Sequence, residues 1–176
     1  MSWELSALNW IQESLHTAWG NVLWPVISAL GNGGAVWIAL ALVLLCMKRT
    51  RRLGACVALA LLLDLLSCNL ILKPLVGRLR PFEVEPTLVP LIKLPTDASF
   101  PSGHTAASFA AVSALFFGKS RLYIPALVLA CAIAFSRLYL LVHFPTDVLC
   151  GAVLGIACGF GGGKLIQQIE KKKPLL

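Results

Sequence analysis

Charged residues are scarce in this sequence, and their scarcity excludes an ordinary soluble domain. Only 13% of the 176 residues are Asp, Glu, Lys or Arg, whereas 58% are hydrophobic. Soluble domains carry roughly 25% charged and about 45–50% apolar residues. The length suits one domain, and no break in composition divides the chain. We therefore expect a single domain over residues 1–176 that lies largely in apolar surroundings.

Patterns that bind metals or form disulfides are also lacking. The sequence contains neither a CxxC pair nor a spacing of Cys and His that resembles a zinc site. All six cysteines lie in apolar segments, which is typical of buried, reduced thiols. They are Cys46, Cys56, Cys68, Cys131, Cys150 and Cys158. We expect no cofactor and no structural metal.

Acidic residues are fewer than basic ones, and the net charge is +7. Such an excess can indicate nucleic-acid binding. Here, however, aromatic residues are not interleaved with the basic ones as a nucleic-acid surface would require. The basic residues cluster at the ends of apolar segments instead. We interpret them as topology signals and candidate anion ligands, and we expect no nucleic-acid partner.

Long apolar segments are what the sequence has in abundance. A membrane-spanning helix needs about 20 mostly apolar residues. Five segments meet or approach this requirement: Val22–Met47, Leu53–Leu72, Ser102–Phe117, Leu122–Val142 and Pro145–Ile166. They predict an all-α fold, an integral membrane bundle of five transmembrane helices.

Residues 1–20 are too polar for a typical span. Tryptophans and aliphatic residues alternate there with Glu4, Asn9, Gln12 and Glu13. This pattern is typical of an amphipathic helix that lies in the membrane interface and is anchored by its tryptophans. We expect such an interfacial helix, and the alternative is a sixth, poor span.

Basic residues also orient the predicted bundle, because Lys and Arg favour cytoplasmic loops. With the N-terminus outside, ten basic residues fall inside: Lys48, Arg49, Arg51, Arg52, Lys119, Arg121, Lys164 and Lys171–Lys173. The outer face receives five: Lys73, Arg78, Arg80, Lys93 and Arg137. This topology makes residues 77–101 an extracytoplasmic connector and places the C-terminus in the cytoplasm.

Three polar clusters then reach the outer face, although they are distant along the chain. In chain order they are Lys73-x6-Arg80-Pro81, Pro101-Ser102-Gly103-His104 and Ser136-Arg137-x5-His143-x3-Asp147. Ionisable side chains at membrane depth are costly and usually functional. Each could be structural when taken singly, as a snorkelling cation, a helix N-cap or an acid in a first helical turn. Their coincidence on one face favours a single site.

The residue types in these clusters suit a phosphate group. Lys73, Arg80 and Arg137 supply three cations, and the planar fork of arginine matches phosphate oxygens. Ser102 and Gly103 stand where a helix begins, so free backbone N–H groups and the helix dipole favour an anion there.

The two histidines suit nucleophilic and acid–base catalysis. Asp147, four residues after His143, could fix one imidazole nitrogen as a donor and leave the other free to attack. His104 could protonate a leaving oxygen. Because Asp147 is the sole acid in the motifs, the carboxylates that would hold Mg²⁺ are missing there, and we expect no metal. A non-catalytic lipid-phosphate binder or transporter would need the cations but not the histidines.

The three motifs together resemble the signature of the type 2 phosphatidic acid phosphatase family, over about residues 53–168. Many members have six spans, whereas five are counted here, so the resemblance leaves the N-terminal region open. It implies that His143 forms a phosphohistidine, that Asp147 orients it, and that His104 acts as acid and then as base. The residues implied to hold the phosphate are Lys73, Arg80, Ser102, Gly103 and Arg137.

What the resemblance implies is a metal-independent lipid phosphatase, in a bacterial cytoplasmic membrane, with its active site on the extracytoplasmic face. Four substrates fit this class: undecaprenyl pyrophosphate, phosphatidylglycerophosphate, phosphatidate and a lipid A phosphate. The first two are favoured, because compact bacterial members often serve carrier-lipid recycling or phospholipid synthesis. Phosphotransfer to an acceptor hydroxyl stays open as an alternative, and so does the oligomeric state.

Overall fold

The computed structural model describes residues 3–172, and every regular element within them is a helix. In chain order the elements are α1 (Trp3–Leu15), α2 (Gly20–Leu30), α3 (Ala35–Cys46), α4 (Arg51–Asp64), α5 (Lys73–Val76), α6 (Pro81–Val84), α7 (Gly103–Phe117), α8 (Tyr123–Tyr139) and α9 (Pro145–Lys172). A π-helical segment, Leu65–Leu72, joins α4 to α5. The all-α prediction is confirmed for this range. Met1 and Ser2 of the predicted interfacial helix, and Lys173 of the basic tail, lie outside the described residues.

Apolar helices mark the chain as an integral membrane protein. Two helical stretches, Arg51–Val84 and Pro145–Lys172, are long and apolar enough to cross a membrane. The bent pair formed by α2 and Asn32–Cys46 passes the same test when taken together, and α7 and α8 are shorter apolar helices. Large apolar side chains such as Val128 and Val153, each 69% exposed, point outward as lipid-facing residues do. The count of five spans stays a prediction.

The first predicted span, Val22–Met47, is not one continuous helix. A 3₁₀ turn, Asn32–Gly34, separates α2 from α3, and the axes differ by 43°. Gly33 and Gly34 have φ values of 58° and 70°, in the left-handed region that favours glycine. The prediction of a continuous helix is therefore wrong here, because two successive glycines allow the chain to turn.

Close packing of α7 against α9 forms the centre of the bundle. A Cβ placed on Gly155 would lie 2.2 Å from the carbonyl oxygen of Ala106, and one on Gly159 would lie 2.4 Å from Cβ of Ser113. Small residues of this kind allow two membrane helices to approach closely. The approach continues to the helix ends, where the Ser102 amide donates to the carbonyl oxygen of Asp147 at 3.0 Å. The second and third sequence motifs therefore lie next to each other.

Helix α1 and the connector 77–101 cover that end of the bundle. Leu8 and Ile11 of α1 are buried in an apolar cluster that also contains Leu88 of the connector and Tyr139–Val142. Gln12 ties α1 to the connector, since its side chain donates to the carbonyl of Thr87 and accepts from the amide of Val89. The 13 residues of α1 rise about 20 Å, less than the roughly 30 Å of a hydrocarbon core. Its length thus favours the interfacial position over a sixth span.

Candidate active site

A cavity of about 500 Å³ opens at the covered end of the bundle. Five of the predicted site residues line it, and they come from α5, the connector, α7, α8 and the turn before α9: Lys73, Arg80, His104, Arg137 and His143. Segments up to 70 positions apart along the chain thus contribute to one space. Both imidazoles and all three predicted phosphate-binding cations share it.

His143 is held deep in the turn between α8 and α9, with 1% of its surface exposed. Its Nδ1 lies 3.5 Å from Oδ2 of Asp147, and its Nε2 lies 3.4 Å from Nη1 of Arg80. Burial, together with the charges of Arg137 and Arg80, lowers the pKa of His143 against the opposing hydrogen bond to Asp147. A neutral ring whose Nε2 faces the cations is the form that can act as a nucleophile.

Asp147 is fully buried, and both of its carboxylate oxygens have donors. Oδ2 accepts from the Ser99 hydroxyl at 2.5 Å and from the Phe144 amide at 2.9 Å. Oδ1 accepts from Nη1 of Arg78 at 2.7 Å. Because buried charges are tolerated when they are paired and hydrogen-bonded, this carboxylate can stay ionised beside His143.

Asp97 of the connector bridges two of the residues predicted to bind phosphate. Its carboxylate bonds to Nζ of Lys73 and lies 2.8 Å from Nη2 of Arg80, which also donates through Nε to the carbonyl of Asp97. Although burial opposes ionisation, the hydrogen bond and charge of Lys73 and the charge of Arg80 lower the pKa of Asp97 to about 2. An ionised carboxylate therefore occupies the cations that a phosphate would use.

Arg137 faces the same cavity and is 2% exposed. Its Nη1 donates to the hydroxyl of Ser28, but its Nε has no hydrogen-bond partner among residues 3–172. Buried donors are nearly always paired, so an unpaired one beside a cavity indicates a ligand that accepts from it.

His104 lies in the first turn of α7 and is half-buried. Its Nε2 is 3.0 Å from the side-chain oxygen of Asn32, in the 3₁₀ turn between α2 and α3. A Cβ on Gly31 would lie 2.8 Å from Cδ2 of His104, so any larger residue there would displace the imidazole. The kink between α2 and α3 thus supports His104.

Ser102 and Gly103 differ in whether their backbone amides are free to bind an anion. As predicted, a helix begins here, since α7 starts at Gly103. The amide of Ser102 is not free, however, because it bonds to the carbonyl of Asp147, and that part of the prediction is wrong. The amide of Gly103 has no acceptor within the helix. A Cβ on Gly103 would lie 3.8 Å from Nζ of Lys73, so the glycine backbone borders the cations directly.

Metal ligands are not clustered in the described part of the chain. Among residues 3–172, no group of three or more His, Cys, Asp and Glu side chains is arranged to hold a metal ion. Four basic residues line the cavity against one acid, Asp97, which suits an anionic ligand; they are Lys73, Arg80, Lys93 and Arg137.

Four residues of the site were missed at the sequence level: Asn32, Arg78, Asp97 and Ser99. Arg78 carried a signal, since it lies inside the first motif, two positions before Arg80. Asn32 and Asp97 carried none, because one lies in a helix break and the other in an irregular connector. Only the packing of distant segments brings them to the cavity.

Comparison with known proteins agrees with the motifs. The family model of the PAP2 superfamily matches residues 49–170. An undecaprenyl-diphosphatase of Sulfolobus acidocaldarius is 35% identical over 142 residues, which cover 80% of this chain and 66%, just under two thirds, of that protein.

Two solved structures share the fold over nearly the whole chain. LpxE of Aquifex aeolicus superposes with a TM-score of 0.80 at 26% identity, over 93% of this chain and 96% of that one. A PAP2-type phosphatidylglycerolphosphate phosphatase of Bacillus subtilis gives a TM-score of 0.76 at 26% identity, over 98% and 87% of the two chains. The family resemblance inferred from the three motifs is confirmed, and this chain belongs to the PAP2 superfamily.

Proposed function

We propose that the protein is a metal-independent phosphatase of membrane lipid phosphates that works through a phosphohistidine on His143. The observation that carries this proposal is the shared cavity, which two imidazoles and all three predicted phosphate-binding cations line. A site that only binds an anion needs the cations alone. The second imidazole, His104, and the buried Asp147 beside His143 are the groups that catalysis requires in addition. The phosphatase names of the relatives support the same class.

In the first step Nε2 of His143 attacks phosphorus while Nδ1 keeps its proton toward Asp147. The bond between phosphorus and the lipid oxygen breaks, and His104 donates a proton to that oxygen. Lys73, Arg80 and Arg137 stabilise the negative charge on the phosphoryl oxygens.

In the second step water attacks the phosphohistidine. His104, now neutral, takes a proton from the water, and the bond between phosphorus and Nε2 breaks. Inorganic phosphate leaves, and both histidines return to their starting states. One water molecule is consumed for each lipid phosphate cleaved.

Substrate binding requires that phosphate replace Asp97 as the partner of Lys73 and Arg80. The Asp97 side chain is 53% exposed, whereas that of Arg80 is 2% exposed. The carboxylate can therefore move into solvent while the guanidinium stays in place. Phosphate offers more oxygens than a carboxylate and a second negative charge, so it competes effectively for the same donors.

A second cavity, of about 470 Å³, supports a lipid as the substrate. It lies between α3 and α4 and shares Lys73, Asp97 and His104 with the cavity of about 500 Å³ described above, which we call the phosphate cavity. Its other walls are mainly apolar, with Ile38, Leu42, Leu45, Leu61 and Leu62 among them. A lipid tail in this groove would approach from the side of His104, where the leaving oxygen needs its proton.

Among lipid phosphates we favour undecaprenyl pyrophosphate and phosphatidylglycerophosphate over phosphatidate and a lipid A phosphate. The names of two relatives, an undecaprenyl-diphosphatase and a phosphatidylglycerolphosphate phosphatase, agree with these two, whereas a third relative is named a lipid A 4'-phosphatase. A panel of the four lipids, presented to the purified chain in mixed micelles, ranks them by kcat/KM. A higher kcat/KM for phosphatidate or the lipid A phosphate would overturn the preference without affecting the class.

The central test measures phosphate release from these lipids by the purified chain, with and without EDTA. We expect release in both conditions, and a ³²P-labelled, acid-labile protein adduct after rapid quenching. His143→Ala should lose both signals, whereas His16→Ala, which removes a histidine outside the cavity, should keep them. Release that depends on metal or persists in His143→Ala would refute the mechanism. Binding without release would indicate a binder or transporter, and transfer to an added alcohol without release would indicate a phosphotransferase.

We also propose that this site faces the extracytoplasmic side and that the membrane is a bacterial cytoplasmic membrane. Basic residues at the opposite end support the orientation, including Arg52, which pairs with Glu170 near the end of α9. C-terminal fusions test it: green fluorescent protein should fluoresce there and alkaline phosphatase should be inactive. The reverse result would invert the topology.

A further inference from the structure

Arg78 is a charged residue at the site that the reaction described above does not use. Its Nη1 donates to Oδ1 of Asp147 and to the hydroxyl of Thr146, both at 2.7 Å. Its Nη2 donates to Oε2 of Glu4 at 2.7 Å, and its guanidinium lies 4.0 Å above the ring centroid of Phe144. One fork thus joins the carboxylate behind His143 to helix α1.

Glu4 completes this arrangement from the other side. Its Oε1 accepts from both the amide and the hydroxyl of Thr146, at 3.1 and 2.7 Å. The Thr146 hydroxyl therefore accepts from Arg78 and donates to Glu4, which leaves each polar atom with a partner. Glu4 is 9% exposed, although it belongs to a helix that presents Trp3 and Trp10 outward. Burying an acid on such a helix is costly unless it is paired as it is here.

Neither Arg78 nor Glu4 is among the residues that line the phosphate cavity. Arg78 is linked to His143 by its hydrogen bond to Asp147, so an effect on the reaction can act through that carboxylate. The opposite oxygen, Oδ2, is held by Ser99 and the Phe144 amide. Arg78 thus provides the one hydrogen bond on Oδ1, which opposes rotation of the carboxylate away from His143.

We propose that Arg78 and Glu4 form a positioning pair for Asp147, through which helix α1 takes part in supporting the nucleophile. This inference rests on the proposed function of His143 as the nucleophile. Removing Arg78 would leave Oδ1 of Asp147 and Oε2 of Glu4 without their donor in a buried place, and both oxygens would seek new partners. The orientation of His143 would then be lost, whereas the cations that bind phosphate would be untouched.

The test separates turnover from binding. Full-length Arg78→Ala, Arg78→Lys and Glu4→Gln are assayed on a lipid phosphate that the wild type cleaves. We expect kcat to fall by roughly 10–100-fold in Arg78→Ala, as when a residue that orients a catalytic ligand is lost. KM and the inhibition constant of inorganic phosphate should stay within about twofold, because Lys73, Arg80 and Arg137 are intact. Arg78→Lys should recover part of kcat, since an ammonium keeps the charge but not the fork.

Glu4→Gln is the sharper variant because it keeps the size of the side chain and one acceptor oxygen. We expect a smaller loss of kcat than in Arg78→Ala, again with KM unchanged. Glu13→Gln is the matched control: it makes the same change at an exposed position of the same helix and should retain wild-type kcat.

Three results would overturn the positioning pair: unchanged kcat in Arg78→Ala, a loss that falls on KM or phosphate inhibition instead, or an equal loss in Glu13→Gln. Should Arg78→Ala fail to fold, Arg78→Lys and Glu4→Gln decide by the same criteria. Failure of the proposed function looks different, because the wild type itself would then release no phosphate.

Discussion

The two histidines of the cavity are held in opposite ways. His143 is buried in a turn, and the carboxylate behind it has donors on both oxygens. His104 is half-buried, and its ring is hydrogen-bonded to Asn32, in a glycine-rich helix break. Among the cations beside it, two are bridged by the exposed Asp97, and the Nε of Arg137 has no hydrogen-bond partner within the described residues. The side that would attack phosphorus is organised by fixed hydrogen bonds, whereas the side that would receive phosphate and the leaving group is organised by contacts that a ligand can displace or complete.

The largest effect on activity should come from disrupting the support of His143. Asp147→Asn keeps the shape of the side chain but removes the charge that holds the Nδ1 proton of His143. We expect kcat to fall by about 10³–10⁴, the scale seen when the orienting carboxylate of a catalytic triad is replaced. Steady-state kinetics should show little change in KM. A loss of less than tenfold would mean that Ser99, whose hydroxyl lies 3.5 Å from Nδ1, orients His143 without the charge of the carboxylate.

Removing Arg137 should lower kcat/KM almost as strongly, because this arginine is expected to bind the phosphate. Arg137→Ala deletes the donor whose Nε is unpaired, and we expect a loss of about 10²–10³ in kcat/KM. The inhibition constant of vanadate or phosphate should rise in parallel, which a competition assay measures. Arg121→Ala, an exposed arginine beyond the other end of α7, is the control. Equal inhibition constants in Arg137→Ala and the wild type would exclude contact with phosphate.

Asn32→Ala tests whether the helix break supports acid catalysis. Loss of the contact at 3.0 Å should let His104 turn, and we expect roughly a tenfold fall in kcat for a lipid substrate. The fall should be much smaller for p-nitrophenyl phosphate, because its leaving group needs no proton. Asn21→Ala removes an amide of α2 that bonds to Tyr139 and controls for general damage. Equal losses with both substrates would place Asn32 outside proton transfer.

The smallest effect, and one of opposite sign, is expected from Asp97→Asn. Neutralising the residue that competes for Lys73 and Arg80 should lower the inhibition constant of phosphate by roughly threefold to tenfold. Because the pKa of Asp97 is about 2, the gain should not vary between pH 5 and 8. The same lowered pKa means that the ion pair stabilises the fold above about pH 4 and loses its contribution as the pH falls toward 2. Weaker phosphate inhibition in the variant would show that Asp97 helps to bind phosphate.

The motif residues could be predicted from the sequence because their chemistry is costly in a membrane. Lys73, Arg80, Arg137 and the two histidines stand beside apolar runs, where an ionisable residue without a function is rare. The length of the apolar segments also predicted the helices, but not the break at Gly33 and Gly34. A run of apolar residues does not show where two glycines adopt positive φ.

Sequence alone determined the helical membrane fold, the family and the set of side chains that carry charge to one end of the bundle, because composition and spacing encode them directly. Tertiary structure decided which partners those side chains have: Asp97 on the cations, Asn32 on His104, and Arg78 with Glu4 on Asp147. The physical reason is that hydrogen bonds need atoms within about 3 Å. Such distances between residues 70 or more positions apart depend on how the helices pack, as the contact between α7 and α9 shows.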